Sequence, residues 1–413
     1  MSISNENQSL KQLTVLGNGF DLACGLKSTY YDFFDYTYEQ KNSNNTNSNN
    51  FWYKIFQNYK EDTIENWADI EEQILVQLKN IEYLYKEGFL KSGDWIESQI
   101  GYNFSKERLE KINGKSISQS QFNTRVNVFK LLNNNYVISE LKLQKTLKEH
   151  LYILEDDFRK YLLSITKEND NDEIYYKYYM KSKILNKYIQ LSNSSESHNS
   201  DLVSKLENTN IFRVFAQKEQ FDMTLSEIFK EEEEEEEKNN DKNLVLTFNY
   251  TKVSDVENIR NIHGELDNGN IIFGIDYDKL NNNFKKAPIE FSKSYRVLEN
   301  GLTSTFDISS DIDIIKIYGH GLGKADYSYY QSIFDSVDLY HGKTKVMFFW
   351  SDYKGKEKEQ IHKDFVKGVT NLIEEYGTTF SNKDHGRNLF TKLLLENRLT
   401  IQEIPVNALF LNV

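Results

Sequence analysis

The chain has 413 residues, 2 prolines, 1 cysteine and a formal net charge of −13. One cysteine excludes an intramolecular disulfide and a cysteine zinc cluster. The acidic balance disfavours a general nucleic-acid binder, which needs basic surface to displace counterions. No apolar run approaches the roughly 18–20 residues of a membrane span, and Met1–Gln12 lacks the apolar core of a signal peptide, so a cytoplasmic protein is expected.

Aromatic residues reach 14% of the chain. Each buries a large area, so Tyr and Phe are expected to supply much of the core. In chain order, Leu13–Leu16 reads as a short buried strand ending at Gly17. Ser28 or Thr29 can cap a helix that starts near Tyr30, where Tyr30, Phe33, Phe34 and Tyr38 share one face. Residues 41–50 form an Asn/Ser tract without core residues, read as a surface loop. From Phe51 to about Lys91 the pattern is helical, with one stripe of Trp52, Ile55, Phe56 and Tyr59 and another of Ile70, Ile74, Leu75 and Leu78. Helix is again expected over Gln121–Lys167, then a polar stretch with a tyrosine cluster over Glu168–Ser200. The acidic run Glu231–Glu237 lies in a linker, 231–240.

After that run the pattern changes. Leu244–Phe248, Asn258–Ile262, Asn270–Ile275, Asp311–Tyr318, Thr344–Trp350 and Leu399–Ile404 read as strands, with helices at Lys358–Tyr376 and Arg387–Glu396. Strands alternating with helices imply an α/β fold with a Rossmann-like parallel sheet. The expected organisation is a core from 1–40 and 241–413, carrying a large, mostly helical insertion over 41–240.

Four strand-end segments are candidates for chemistry, while a turn-forming Asn, a surface or core histidine and a mobile loop are the ordinary readings of the second, third and fourth. Gly17-Asn18-Gly19-Phe20-Asp21, with Gly25 behind it, suits a tight turn and close approach to a phosphate, although a strand–turn–helix link without a ligand has the same pattern. Thr247-Phe248-Asn249 places an Asn where ligands gather in parallel sheets. Ile262-His263-Gly264 offers a base near neutral pH. Gly319-His320-Gly321-Leu322-Gly323 with Asp326 offers close backbone approach and a ribose-binding carboxylate. In one parallel sheet the four would meet at one edge.

These residues resemble the phage abortive-infection family AbiH. Leu16-Gly17-Asn18-Gly19-Phe20-Asp21-Leu22-Ala23 is similar to its opening motif. Phe248-Asn249-Tyr250-Thr251, Ile262-His263-Gly264 and Gly319-His320-x-Leu322-Gly323-x-x-Asp326 are similar to its later ones, as is Trp67-x-Asp69-Ile70-Glu71. The same motifs resemble, more distantly, sirtuin-like NAD-binding domains. Lys27, Gly321 and Thr251 depart from that pattern, and His263 follows Asn249 closely. The resemblance implies a sirtuin-like core and an antiphage effector that hydrolyses NAD⁺ as substrate. It implies His263 and Asn249 as catalytic residues, with Gly17, Asn18, Gly19, Phe20, Asp21, Gly25, Thr247, Gly319, His320, Leu322 and Asp326 around the dinucleotide. No metal is expected. A phage-derived trigger or partner protein and self-association into a homo-oligomer are expected. Two alternatives stay open: a non-hydrolytic NAD or ADP-ribose sensor, and a metal-dependent nuclease built on Asp69/Glu71 or Asp311/Asp313.

Overall fold

The computed structural model describes residues 10–41, 50–61, 69–86, 116, 118, 119, 122, 140–166, 173–192, 204, 205, 223, 225, 243–252, 258–267, 269–284, 286–301, 308–323, 326–352 and 358–410. The Asn-rich loop at 42–49, the acidic run, Trp67 and most of 92–139 lie outside these residues.

Six strands form one all-parallel sheet: β1 Gln12–Leu16, β2 Asn243–Thr247, β3 Ile259–Asn261, β4 Ile314–Tyr318, β5 Lys345–Trp350 and β6 Leu399–Glu403. Their order is β3-β2-β1-β4-β5-β6. The expected parallel α/β sheet is therefore present. The chain winds outward from β1 to β3, then returns to β1's other side as β4, so the winding reverses between β1 and β4. The ladder aligns Leu16 with Thr247 on one side and with Tyr318 on the other, which brings the strand ends level.

The central strands are buried on both faces, as near-continuous Val/Ile/Leu runs require. One face packs a core of Leu16, Val245, Ile314, Met347 and Phe349 against Tyr179, Ile184 and Tyr188 of the helix Glu173–Leu191. In chain order the described helices begin with α1 Gly19–Ala23, α2 Tyr30–Lys41, α3 Phe51–Glu61, α4 Ile70–Lys86, α5 Glu140–Thr166 and α6 Glu173–Leu191, of which α1 and α6 supply residues to this core. The other face packs Leu13, Val15, Ile315, Ile317 and Phe348 against Tyr330, Phe334, Val369, Ile373 and Leu389. Those last residues lie on α9 Tyr327–Ser336, α10 Lys358–Thr378 and α11 Lys383–Leu395; α7 Tyr277–Asn283, α8 Lys293–Glu299 and α12 Val406–Leu409 complete the helices described. Lys316 of β4 is buried and donates to the Gln190 carbonyl in the last turn of α6, where a cation complements the helix dipole.

The chain divides into two compact units: 1–28, 162–268 and 303–413 in the first, 29–161 and 269–302 in the second. The helical unit thus starts earlier and ends earlier than the 41–240 segment read from the sequence, because α6 packs on the sheet. It also takes up a later segment, 269–302.

That segment brings a correction. Asn270–Ile275 is not a strand of the sheet; it makes one isolated bridge, Ile275 to Ser292. Ile271, Ile272, Phe273 and Ile275 are buried as a strand's would be. The backbone of Phe273 is satisfied by side chains instead of by a neighbouring strand. Its N–H donates to Glu155 Oε1 at 2.6 Å, and its carbonyl accepts from Arg296 at 2.7 Å. Glu155 and Arg296 are themselves a buried ion pair. Aromatic rings fill this unit, with Phe34–Phe56 at 4.3 Å and Phe33–Phe158 at 5.1 Å between centroids. Asp69 Oδ1 accepts from the Glu72 N–H and caps α4, and Glu71 pairs with buried Lys293 at 2.6 Å.

Candidate functional site

All four strand-end segments lie in the first unit, at the carboxyl edge of β1–β4. The loop after β1 differs from the expected turn. A single helical turn, α1, begins at Gly19, because Phe20 N–H bonds Gly17 O and Leu22 N–H bonds Asn18 O. Gly25, with φ of +89°, ends it. Asn18 does not cap α1; its Oδ1 accepts from Ser28 Oγ at 2.6 Å.

This loop packs directly on the loop after β4. Gly17 N–H donates to Tyr318 O and Gly19 N–H to Gly319 O. A Cβ on Gly17 would lie 2.6 Å from His320 Cα, and one on Gly19 would lie 2.7 Å from Gly319 Cα. By contrast, a Cβ on Gly321 or Gly323 would meet nothing within 4 Å. Phe20 is buried, edge-on to Tyr318.

Asp21 is turned inward. It is 1% exposed, and it accepts from Thr251 Oγ1 at 2.7 Å and from Tyr178 of α6 at 3.0 Å. Burial raises its carboxyl to about 6, and hydrogen bonds from Thr251, Tyr178 and Asn249 oppose that rise. Burial likewise pushes the Tyr178 phenol and the Cys24 thiol well above their usual ranges.

Thr247 ends β2 and accepts from the Asn249 N–H through Oγ1 at 3.0 Å. Asn249 Nδ2 donates to Gly17 O at 3.1 Å, tying the β2 loop to the β1 loop. His263 follows β3 and is buried, its ring edge-on to Phe248 at 5.4 Å and to Tyr329 at 5.6 Å. Gly264, with φ of +98°, turns the chain away just after it.

His320 also packs on Phe248, at 4.4 Å. Its Nδ1 accepts from the Leu322 N–H at 3.0 Å, which places the proton on Nε2, 3.2 Å from Asp326 Oδ2. Both ring nitrogens are engaged, so His320 and Asp326 brace each other. Leu322 holds a φ of +50°, a conformation costly for a branched residue, and its side chain is buried in the core below. Tyr330 is fully buried, its ring 5.2 Å from that of His320.

Phe248 is thus the common neighbour of both histidines, Tyr329 and Tyr330. Tyr178, Asn261, Tyr329 and Tyr330 also touch the residues of this candidate site, and motif reading missed them. The signal for Tyr329 and Tyr330 was their place in the first turn after a glycine loop. The acidic pairs do not join this edge: Asp311 and Asp313 accept from Lys11 at the opposite end of β1 and β4, and Asp69 and Glu71 are engaged in the helical unit. Among the described residues no group of three His, Cys, Asp or Glu is placed to hold a metal ion, and no helix is long and apolar enough to cross a membrane.

A doubly wound sheet of this order, with polar strand-end loops on both sides of the switch point, defines a Rossmann-like α/β protein. The family model described as bacteriophage abortive infection AbiH matches residues 13–350, and the chain belongs to that family. Its role is thereby in bacteriophage abortive infection. The match ends with β5, so α10, α11 and β6 lie beyond it. Comparisons with curated proteins and with solved structures return no match.

Proposed function

We propose that the chain is an abortive-infection effector that hydrolyses NAD⁺ to nicotinamide and ADP-ribose. The observation that supports this most is the placing of Asn249 and His263 after the adjacent strands β2 and β3, on the β1 side of the sheet's switch point.

The nicotinamide leaving group is already cationic. Its departure builds oxocarbenium character and needs little acid catalysis, so one base and good positioning suffice. His263 takes a proton from a ribose hydroxyl or the attacking water. The rings of Phe248 and Tyr329 hold its imidazole in place and limit access of bulk water. Asn249, anchored through Nδ2 to the β1 loop, orients the ribose or that water. The N–H groups of Gly17, Gly19 and Phe20 are engaged within the protein. The pyrophosphate is therefore assigned to the open stretch Gly321–Gly323 and not to the loop after β1.

Nicotinamide release from purified protein, with and without phage lysate, tests the reading. His263→Ala is expected to lose activity by about 10²–10⁴-fold while still binding NAD⁺. Unchanged turnover in both His263→Ala and Asn249→Ala refutes it, and tight NAD⁺ binding without turnover in any condition identifies a sensor instead. An effector of this kind must be gated in its host. A phage-derived trigger, acting with self-association, is the proposed gate, and NAD⁺ loss during infection is its readout.

A further inference from the structure

Asn261 is the last residue of β3 and is buried. Its Nδ2 donates to the carbonyls of Asn249 at 2.7 Å and Thr251 at 3.0 Å, so it pins the loop after β2. Asn249 is arranged in the same way, with Nδ2 facing Gly17 O. These carbonyl partners settle which way each amide is turned, since reversing either would set oxygen against oxygen. The consequence is an excess of acceptors. Among the described residues neither Asn249 Oδ1 nor Asn261 Oδ1 has a hydrogen-bond partner, although both are shielded from solvent. A buried acceptor left this way is costly, and here two occur, one just after β2 and one at the end of its neighbour β3, at the edge where parallel sheets bind ligands.

We propose that Asn261 and Asn249 form a paired acceptor site for a ligand's neutral donors, the vicinal hydroxyls of a ribose or the N–H₂ of a primary carboxamide. Amide oxygens repel anions, so a phosphate group is excluded from this part of the edge. The site therefore takes the sugar or amide end of a nucleotide, and Asn261 is a binding residue. The choice of NAD⁺ as the nucleotide rests on the proposed hydrolysis; the donor chemistry does not.

Calorimetric titration of the full chain compares NAD⁺ with analogues lacking the 2′- or 3′-hydroxyl of the nicotinamide ribose, and with the analogue whose carboxamide is a carboxylate. Loss of at least one donor is expected to weaken binding by about tenfold or more. In Asn261→Ala or Asn249→Ala that same deletion is expected to cost less than twofold. The analogue series on the wild-type chain decides the matter even if a variant fails to fold. All analogues binding within twofold of NAD⁺ overturns the proposal, as does equal competition by inorganic pyrophosphate, or failure of NAD⁺ and free nucleosides alike to bind. Nicotinamide is measured in the same samples. Donor dependence without its release keeps this site and removes the hydrolysis reading, whereas release without donor dependence does the reverse.

Discussion

The buried carboxyl of Asp21 makes a quantitative prediction about stability. Asp21→Asn keeps the side chain's shape and removes its titration. The carboxyl rises from its ordinary 3.8 to about 6 in the folded chain, chiefly through burial. At about 1.4 kcal/mol per pH unit this is a difference of about 3 kcal/mol between its protonation states. The folded value is raised, so between the two values the native state holds the proton that the unfolded chain releases. The stabilisation is full below about pH 4, declines as pH rises, and is gone above about pH 6. Cys24 and Tyr178 beside it stay protonated throughout, because burial raises both. Urea unfolding followed by tryptophan fluorescence at pH 4, 5, 6 and 7 should show the wild type losing about 3 kcal/mol more than Asp21→Asn over that range. Carboxylates elsewhere titrate equally in both chains and cancel in the difference. Parallel stability curves for the two proteins would refute the buried, inward placing of Asp21.

Gly19→Ala drives a methyl against Gly319 backbone at 2.7 Å and should cost about 1–3 kcal/mol or more in urea unfolding, while Gly321→Ala, with nothing within 4 Å, should leave stability unchanged. Arg296→Met leaves Glu155 buried without its partner and should destabilise by about 3–5 kcal/mol. Adding Glu155→Leu should recover only part of that loss, because the Phe273 N–H and carbonyl still lack partners.

The sheet was legible because its strands are short apolar runs at regular spacing, and each was placed within three residues of its observed limits. The stripe Trp52, Ile55, Phe56 likewise marked a buried helix face. What periodicity could not reveal is which neighbour satisfies a backbone. Ile271–Ile275 has a strand's composition, and only the distant Glu155 and Arg296 make it something else. The same holds at the site. His263 and Asn249 announced themselves by strand-end position, but Asn261 looked like one more polar strand residue, and Tyr178 lay inside a tyrosine-rich stretch with no clear face. Both reach the site through contacts 10 to 157 residues away in sequence, a separation that no local pattern records.

The glycines show how one pattern can have two causes. Gly-x-Gly after a strand is expected where backbone must approach a phosphate closely. Here Gly17 and Gly19 are needed for a close approach of another kind, since β1 and β4 are neighbours at the switch point and their loops meet backbone to backbone. Gly319, with φ of +72° and no room for a Cβ beside Phe20 N, is the other half of that contact. Each loop therefore fixes the other, and a shift in one must move both. The strained Leu322 and the His320–Asp326 brace sit on the β4 side of this joint; Asn249 is bonded to its β1 side. A ligand phosphate drawn to Gly321–Gly323 would press on the same packed backbone to which Asn249 is hydrogen-bonded. Phosphate binding and the orientation of Asn249 should thus be coupled through the two packed loops, without a separate moving element.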